Sequence, residues 1–321
     1  MSSEKRIVVV TGATGAQGGS VVNTLLDSGE YHIRAVLRNP DSEKAQPLLD
    51  RGVEIVKADI NDKASLIQAF KGAHAILGVT DFYEPFRNHG PKEAERIELI
   101  QAKNLADAAA ATDGLSHYIW STCPCSADSE YRVPHFDAKA DADEYIISQL
   151  PDLAAKTTFL WATVRAENLT DPLMTPTLIK SSGKYGWVLP IGADTPITTI
   201  GPLRKNVGMF VEAILKRPEV SKGRYVLAGI ETLTVEELLQ RWGKITGKPT
   251  VHIPTSLEVY DQLYPGWGAE IGVMLQFWEA VGARSWSKTG ETILTKEDLG
   301  IDESQLVGLD AAIAEIDWTN V

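Results

Sequence analysis

Short apolar runs and amphipathic stripes take turns along the first half of the chain. Residues 6–11 form a nearly continuous β-branched run, as expected of a strand buried on both faces. Residues 17–28 then carry Val21, Val22, Leu25 and Leu26 at helical spacing. The exchange repeats. Strands are predicted over 33–37, 53–57, 73–79, 117–121 and 158–164, and helices over 42–50, 63–70, 91–111 and 137–150. Gly52 and Gly72 stop two of these helices, and Pro91 sits in the first turn of a third. Such alternation predicts a parallel sheet with helices on both faces, an α/β, Rossmann-type doubly wound fold. Right-handed crossovers leave few alternative topologies.

The second half is less regular. Pro172, Pro176, Pro190, Pro196 and Pro202 punctuate a stretch that reads as loops and short strands. Beyond it come a helix over 206–215, a strand over 224–228 and a helix over 234–246. A capping box, Thr234 with Glu237, opens the last of these and Gly247 closes it. Residues 255–289 mix aromatic side chains without a clear period. The pattern predicts a smaller α/β region interleaved with the sheet.

Composition narrows the function. Against 31 Lys and Arg stand 43 Asp and Glu, a net charge of −12. The bulk field therefore disfavours direct nucleic-acid binding. No stretch approaches the roughly 20 apolar residues of a membrane span, so no membrane association is expected. The two cysteines, Cys123 and Cys125, flank Pro124 too closely for an ordinary disulfide. With six histidines and none at ligand spacing to these thiols, no metal site is expected. The apolar run before the glycine loop is too short for a signal peptide. A cytoplasmic protein is expected, with the nucleus also compatible. Five of the eight tryptophans fall in the last 80 residues: Trp242, Trp267, Trp278, Trp286 and Trp318.

The strongest motif is TGATGAQG. Gly12, Gly15 and Gly18 follow the first strand and open the first helix. The three glycines serve a tight turn, a close approach to a pyrophosphate, and packing of helix on strand. The helix N-terminus then offers amide groups and partial positive charge to phosphates. About 20 residues on, where a carboxylate would hold a ribose 2′-OH, stands Arg38. A guanidinium there suits a 2′-phosphate, so NADP(H) is the predicted cofactor. Residues 1–160, with sheet segments also from about 203–230, are expected to bind it. Residues 161–321 are expected to form the smaller substrate-binding region.

The segments TGATGAQGG at 11–19, LRNP at 37–40, ADIND at 58–62, YIWST at 118–122 and VPHFDAKADADEYI at 133–146 resemble the NmrA-like branch of the atypical short-chain dehydrogenases/reductases. The resemblance spans most of the chain and is clearest through about residue 215. It implies NADPH-dependent reductases of small molecules, or regulators that bind the dinucleotide and a protein partner. It implies that Thr14, Ala16 and Gln17 join the three glycines at the pyrophosphate, and that Arg38 holds the 2′-phosphate. Asp59 would lie near the adenine, Thr80 beside the nicotinamide ribose, and Lys139 on the ribose hydroxyls. The superfamily's usual reaction set is Ser, Tyr and Lys, with Tyr four residues before Lys. This chain has Thr122, His135 and Lys139 at those positions. An imidazolium is a proton donor near neutral pH, and Lys139 is a second one. His135 packing at a helix start, Lys139 as a ribose ligand alone and Thr122 as a strand end are the structural alternatives. Tyr131 is a weaker acid candidate, and Tyr145 should face elsewhere. The resemblance also puts substrate contacts near Asn168, whose alternative role is to form a turn.

Two functions follow. The first is an NADPH-dependent reductase of a C=O, C=N or activated C=C in a small aromatic or polycyclic metabolite, with Trp267 and Trp278 on the substrate wall. The second is a non-catalytic NADP(H)-sensing regulator acting through a protein partner. A sugar-nucleotide epimerase is disfavoured by Arg38 and His135. Cys123 and Cys125 read as inert loop thiols rather than a redox switch. Oligomeric state is not legible.

Overall fold

A computed structural model describes residues 5–127, 129–319 and 321. Six of its strands are β1 (Arg6–Thr11), β2 (Tyr31–Leu37), β3 (Glu54–Lys57), β4 (Ala75–Gly78), β5 (His117–Thr122) and β6 (Thr157–Ala162). With Arg224–Ala228 they form one seven-stranded sheet in the order Arg224–Ala228, β6, β5, β4, β1, β2, β3. All pairings are parallel. The order reverses between β1 and β4, which is the switch point where ligands bind in such sheets.

Burial explains why these runs are strands. Val8, Val9 and Val10 are essentially inaccessible, as are Ile76, Ile119 and Leu160. One face of the sheet packs on helices Ala16–Ser28 and Leu203–Lys216, through Val21, Val22, Leu25, Val207, Phe210 and Val211. The other packs on helices Pro91–Ala110 and Pro134–Gln149, through Ala102, Leu105, Ala142 and Ile146. The Ala16–Ser28 and Leu203–Lys216 helices approach closely at Gly208, whose N–H donates to Ser20 Oγ at 3.0 Å. A Cβ there would lie 2.6 Å from the Ser20 carbonyl oxygen, so only glycine permits the approach.

A separate apolar cluster fills the second half and buries Trp187, Trp242, Tyr260 and Trp278. Two three-stranded sheets frame it. One runs Glu231–Thr234, Pro196–Gly201, Val164–Arg165, and the other Thr250–Pro254, Lys184–Leu189, Thr177–Ile179.

Several expectations need correction. The predicted strand over 158–164 stops at Ala162, and Val164–Arg165 leaves to pair with Pro196–Gly201. The helix predicted over 42–50 shrinks to Gln46–Asp50, preceded by turns. The helix predicted from 137 begins at Pro134, so His135 lies in its first turn. Residues 80–90, between the strand predicted over 73–79 and the helix predicted over 91–111, contain a helix, Tyr83–His89, anchored by buried Phe82 and Phe86 against Ala94. The aromatic stretch likewise contains helices Leu257–Leu263 and Val273–Val281, joined through a π-helical turn, Gly268–Gly272.

Candidate functional site

One cleft of about 940 Å³ crosses the carboxyl ends of the strands. It begins at the glycine loop and ends among aromatic rings of the second half.

At the first end, Gly12 takes a left-handed φ of +63° and its carbonyl accepts from the Gly15 N–H at 2.8 Å. Gly18 rests on that turn, and a Cβ there would fall 2.6 Å from the Gly12 carbonyl carbon. Helix Ala16–Ser28 starts from Gly15 with no side chain capping its amides and no acidic residue in its first turn. Such a helix end accepts an anion. Gly12, Thr14, Gly15, Ala16, Gln17 and Gly18 all line the cleft. Thr11 Oγ1 braces the loop, accepting from Val79 N–H at 2.8 Å and donating to Leu77 O at 3.1 Å.

Arg38 also lines the cleft, beyond the end of β2. It is held by Glu84 of helix Tyr83–His89 through two parallel bonds, Nη1 to Oε1 at 2.8 Å and Nη2 to Oε2 at 3.0 Å. Asp59 is not itself part of the cleft lining. Its Oδ1 accepts from the Asn61 N–H and Nδ2, both at 2.9 Å, and the neighbouring cleft wall is made by Ala58, Ile60 and Asn61. An Asx turn has closed on the carboxylate.

Midway, Thr80 and Lys139 meet on the cleft wall with a residue missed by the sequence reading, Glu98. Lys139 Nζ donates to Thr80 Oγ1 at 2.6 Å and to Glu98 Oε1 at 2.5 Å, and Thr80 Oγ1 donates to the same Oε1 at 2.7 Å. Glu98 is wholly buried on helix Pro91–Ala110, and its Oε2 has no hydrogen-bond partner. A signal existed: Glu98 falls in the apolar stripe of that helix, between Ala94 and Ala102. A buried carboxylate needs a cation, and Lys139 provides it.

One turn before Lys139 on helix Pro134–Gln149, His135 lines the cleft and its Nδ1 contacts Glu270 Oε1. Glu270 lies in the π-helical turn, fully buried, in ion-pair contact with His135 but with neither carboxylate oxygen in a hydrogen bond. No sequence signal marked it. Tyr83 packs 5.8 Å from the His135 ring, centroid to centroid. Burial, reinforced by the Glu270 charge, holds the Tyr83 phenol well above its ordinary range.

Thr122 is not part of this grouping. β5 extends one residue further than predicted, so Thr122 obeys strand alternation and shares a face with Trp120. Trp120 Nε1 donates to Asp143 Oδ1 at 2.9 Å, and the Thr122 hydroxyl donates to the Cys123 carbonyl at 3.5 Å. Burial pushes Asp143 up to about 8. The intervening Ser121 points oppositely and donates to Gln17 Oε1 at 2.8 Å. Tyr131 does not reach the cleft lining, and Tyr145 donates to Asp107 at 2.7 Å, away from it.

Asn168 both lines the cleft and turns the chain, its Oδ1 accepting from Arg165 N–H at 3.1 Å. Trp278 lines the cleft, together with Trp286, Met174, Ile271 and Met274. Trp267 stands one layer behind, packed on Phe86 at 4.8 Å and Tyr83 at 6.1 Å. Trp242 and Trp318 pack on each other and serve the core. Cys123 borders the cleft, but desolvation pushes its thiol up to about 12, which disfavours the thiolate. Among the described residues, no cluster of three or more His, Cys, Asp or Glu could hold a metal, and no helix is long and apolar enough to cross a membrane.

Sheet order, glycine loop and cleft together define a Rossmann-type α/β protein with an anion-accepting helix end at its switch point. The chain belongs to the NmrA-like family, whose profile matches residues 4–307. It is 26% identical to the NmrA-like family domain-containing oxidoreductase FrzB of Cladobotryum sp, over 87% of this chain and 85% of that protein. Among solved structures it resembles NmrA, described as a negative transcriptional regulator, with a TM-score of 0.76 and 21% identity over 98% of this chain and 96% of that one. It also resembles the Citrobacter sp. triphenylmethane reductase complexed with NADP(H), with a TM-score of 0.66 and 23% identity over 95% and 98% of the two chains. At such identities the structural likeness establishes the fold.

Proposed function

We propose that the chain is an NADP(H)-dependent oxidoreductase that reduces a C=O, C=N or activated C=C in a small aromatic or polycyclic metabolite. The observation that carries this reading is the continuity of the cleft, from the glycine loop past Lys139 and His135 to Trp278 and Trp286. A space plugged by the protein's own side chains would have favoured a sensor.

The walls fit a dinucleotide. The uncapped end of helix Ala16–Ser28 suits the pyrophosphate, and Arg38 suits a 2′-phosphate. A bound dihydronicotinamide supplies the two electrons of the reduction. The protein then orients the substrate, excludes water and supplies one proton. Lys139, fixed by Thr80 and Glu98, holds the ribose end. His135 is the proton donor: with Nδ1 turned to Glu270, its Nε2 is the nitrogen left for substrate. Asn168 anchors a polar group of the substrate, and Trp278 and Trp286 cover its flat face. Relatives such as FrzB carry the name oxidoreductase, which supports the same class.

The test is NADPH consumption against a panel of aromatic ketones, imines and quinones. Turnover with at least one class, lost in His135→Ala with binding retained, supports the reading. Tight NADPH binding without turnover on the whole panel would replace it with a dinucleotide-sensing regulator.

A further inference from the structure

Arg38 and Glu84 face each other across the rim of the cleft, and their bond is the fork that a phosphate would use. Both terminal nitrogens of the guanidinium are engaged, at 2.8 and 3.0 Å, in parallel. A phosphate monoester binds such a guanidinium through the same two N–H groups. The two anions cannot occupy that edge together. Both side chains are more than half exposed, so the pair is weak enough to be exchanged. Asp59 and Asp81 add negative charge around the same guanidinium. A 2′-phosphate therefore enters against local repulsion that a 2′-hydroxyl does not meet.

Glu84 does not stand alone. It belongs to helix Tyr83–His89, whose other side chains reach the opposite end of the cleft. Tyr83 lies 5.8 Å from His135 and 6.1 Å from Trp267, and Phe86 lies 4.8 Å from Trp267. One seven-residue helix thus touches the ribose-phosphate rim and the wall beside the proton donor.

We propose that Glu84 is a specificity-determining residue that competes with the 2′-phosphate for Arg38, and that its displacement is passed through helix Tyr83–His89 to His135 and Trp267. The proposal rests on the NADP(H) reading given above. NAD leaves the Arg38–Glu84 fork closed and the helix in place. NADP opens the fork and loosens the helix. The substrate end therefore responds to which dinucleotide is bound.

The experiment uses the full chain as wild type, Glu84→Gln and Arg38→Ala, titrated calorimetrically with NADP⁺ and NAD⁺, with amide exchange followed over residues 83–89. In wild type, NADP⁺ should speed exchange across 83–89 and NAD⁺ should not. Glu84→Gln should bind NADP⁺ about two- to five-fold more tightly with NAD⁺ affinity unchanged. Its helix should exchange fast already, without further response. Arg38→Ala should bind the two dinucleotides alike. Weaker NADP⁺ binding in Glu84→Gln, equal changes for both dinucleotides, or no effect of the substitution would overturn the inference alone. Tighter NADP⁺ binding without an NADP⁺-specific exchange response would overturn the passage through the helix. Failure of wild type to bind either dinucleotide would overturn the NADP(H) reading and this inference with it.

Discussion

At the glycine-loop end of the cleft the walls are main chain: the Gly12 turn, the uncapped amides after Gly15 and the ends of β1 and β4. At the far end the walls are side chains drawn from distant segments: Lys139 on Glu98, His135 on Glu270, and Trp278 and Trp286 over them. The first end depends on backbone shape and leaves no room for a Cβ at Gly18. The second depends on charges that satisfy one another in a buried setting, so each partner's removal exposes the other. The two ends should therefore fail in different ways.

The largest effect is expected at the side-chain end. Lys139→Ala strands the buried Glu98 carboxylate, at a cost to stability of about 3–5 kcal/mol. Chemical denaturation should show that loss alongside the loss of turnover. Combining Lys139→Met with Glu98→Gln should restore most of the stability and none of the turnover. A single variant as stable as wild type would break the contrast between the two ends.

At the main-chain end, Gly18→Ala forces the helix off the Gly12 turn, since the clash is with backbone that cannot step aside. The expected cost is about 1–3 kcal/mol of stability. Dinucleotide affinity should fall by about tenfold, the equivalent of 1.4 kcal/mol. Calorimetric titration and thermal denaturation measure both. Unchanged affinity would mean that the loop does not hold the pyrophosphate.

The smallest effect sharpens the boundary between the ends. Thr122→Val removes a hydroxyl that donates to the neighbouring Cys123 carbonyl and does not line the cleft. It should cost about 1 kcal/mol or less in denaturation, with turnover unchanged. A collapse of turnover would return Thr122 to the reaction and contradict the register of β5.

Legibility followed the same division. β1, β2, β5 and the glycine loop could be read because apolar runs and glycine spacing are local properties. Thr122 ends β5 on the Trp120 side, while alternation turns its neighbour Ser121 to Gln17 instead. Helix Tyr83–His89 was missed because its stability comes from Phe82 and Phe86 burying against Ala94 and Trp267, a tertiary effect with no local period. Glu98 was legible in principle, as a carboxylate inside an apolar stripe. Glu270 was not, because only the π-helical turn brings it under His135. Of the two tryptophans expected on the substrate wall, Trp278 lines the cleft and Trp267 packs behind the lining on Phe86.

The close approach at Gly208 carries a consequence for biosynthesis. The first helix, whose end faces the cleft, has its apolar flank covered by a segment 188 residues downstream. As the chain leaves the ribosome, Val21, Val22 and Leu25 can pack early on Val8, Val10 and Ile33, but the flank at Ser20 and Thr24 stays open until residues 203–216 emerge. Long-range closure of this kind slows folding and leaves sticky surface waiting. The packing of that helix is therefore completed only late in translation, and a dinucleotide supplied earlier should find no finished site to stabilise.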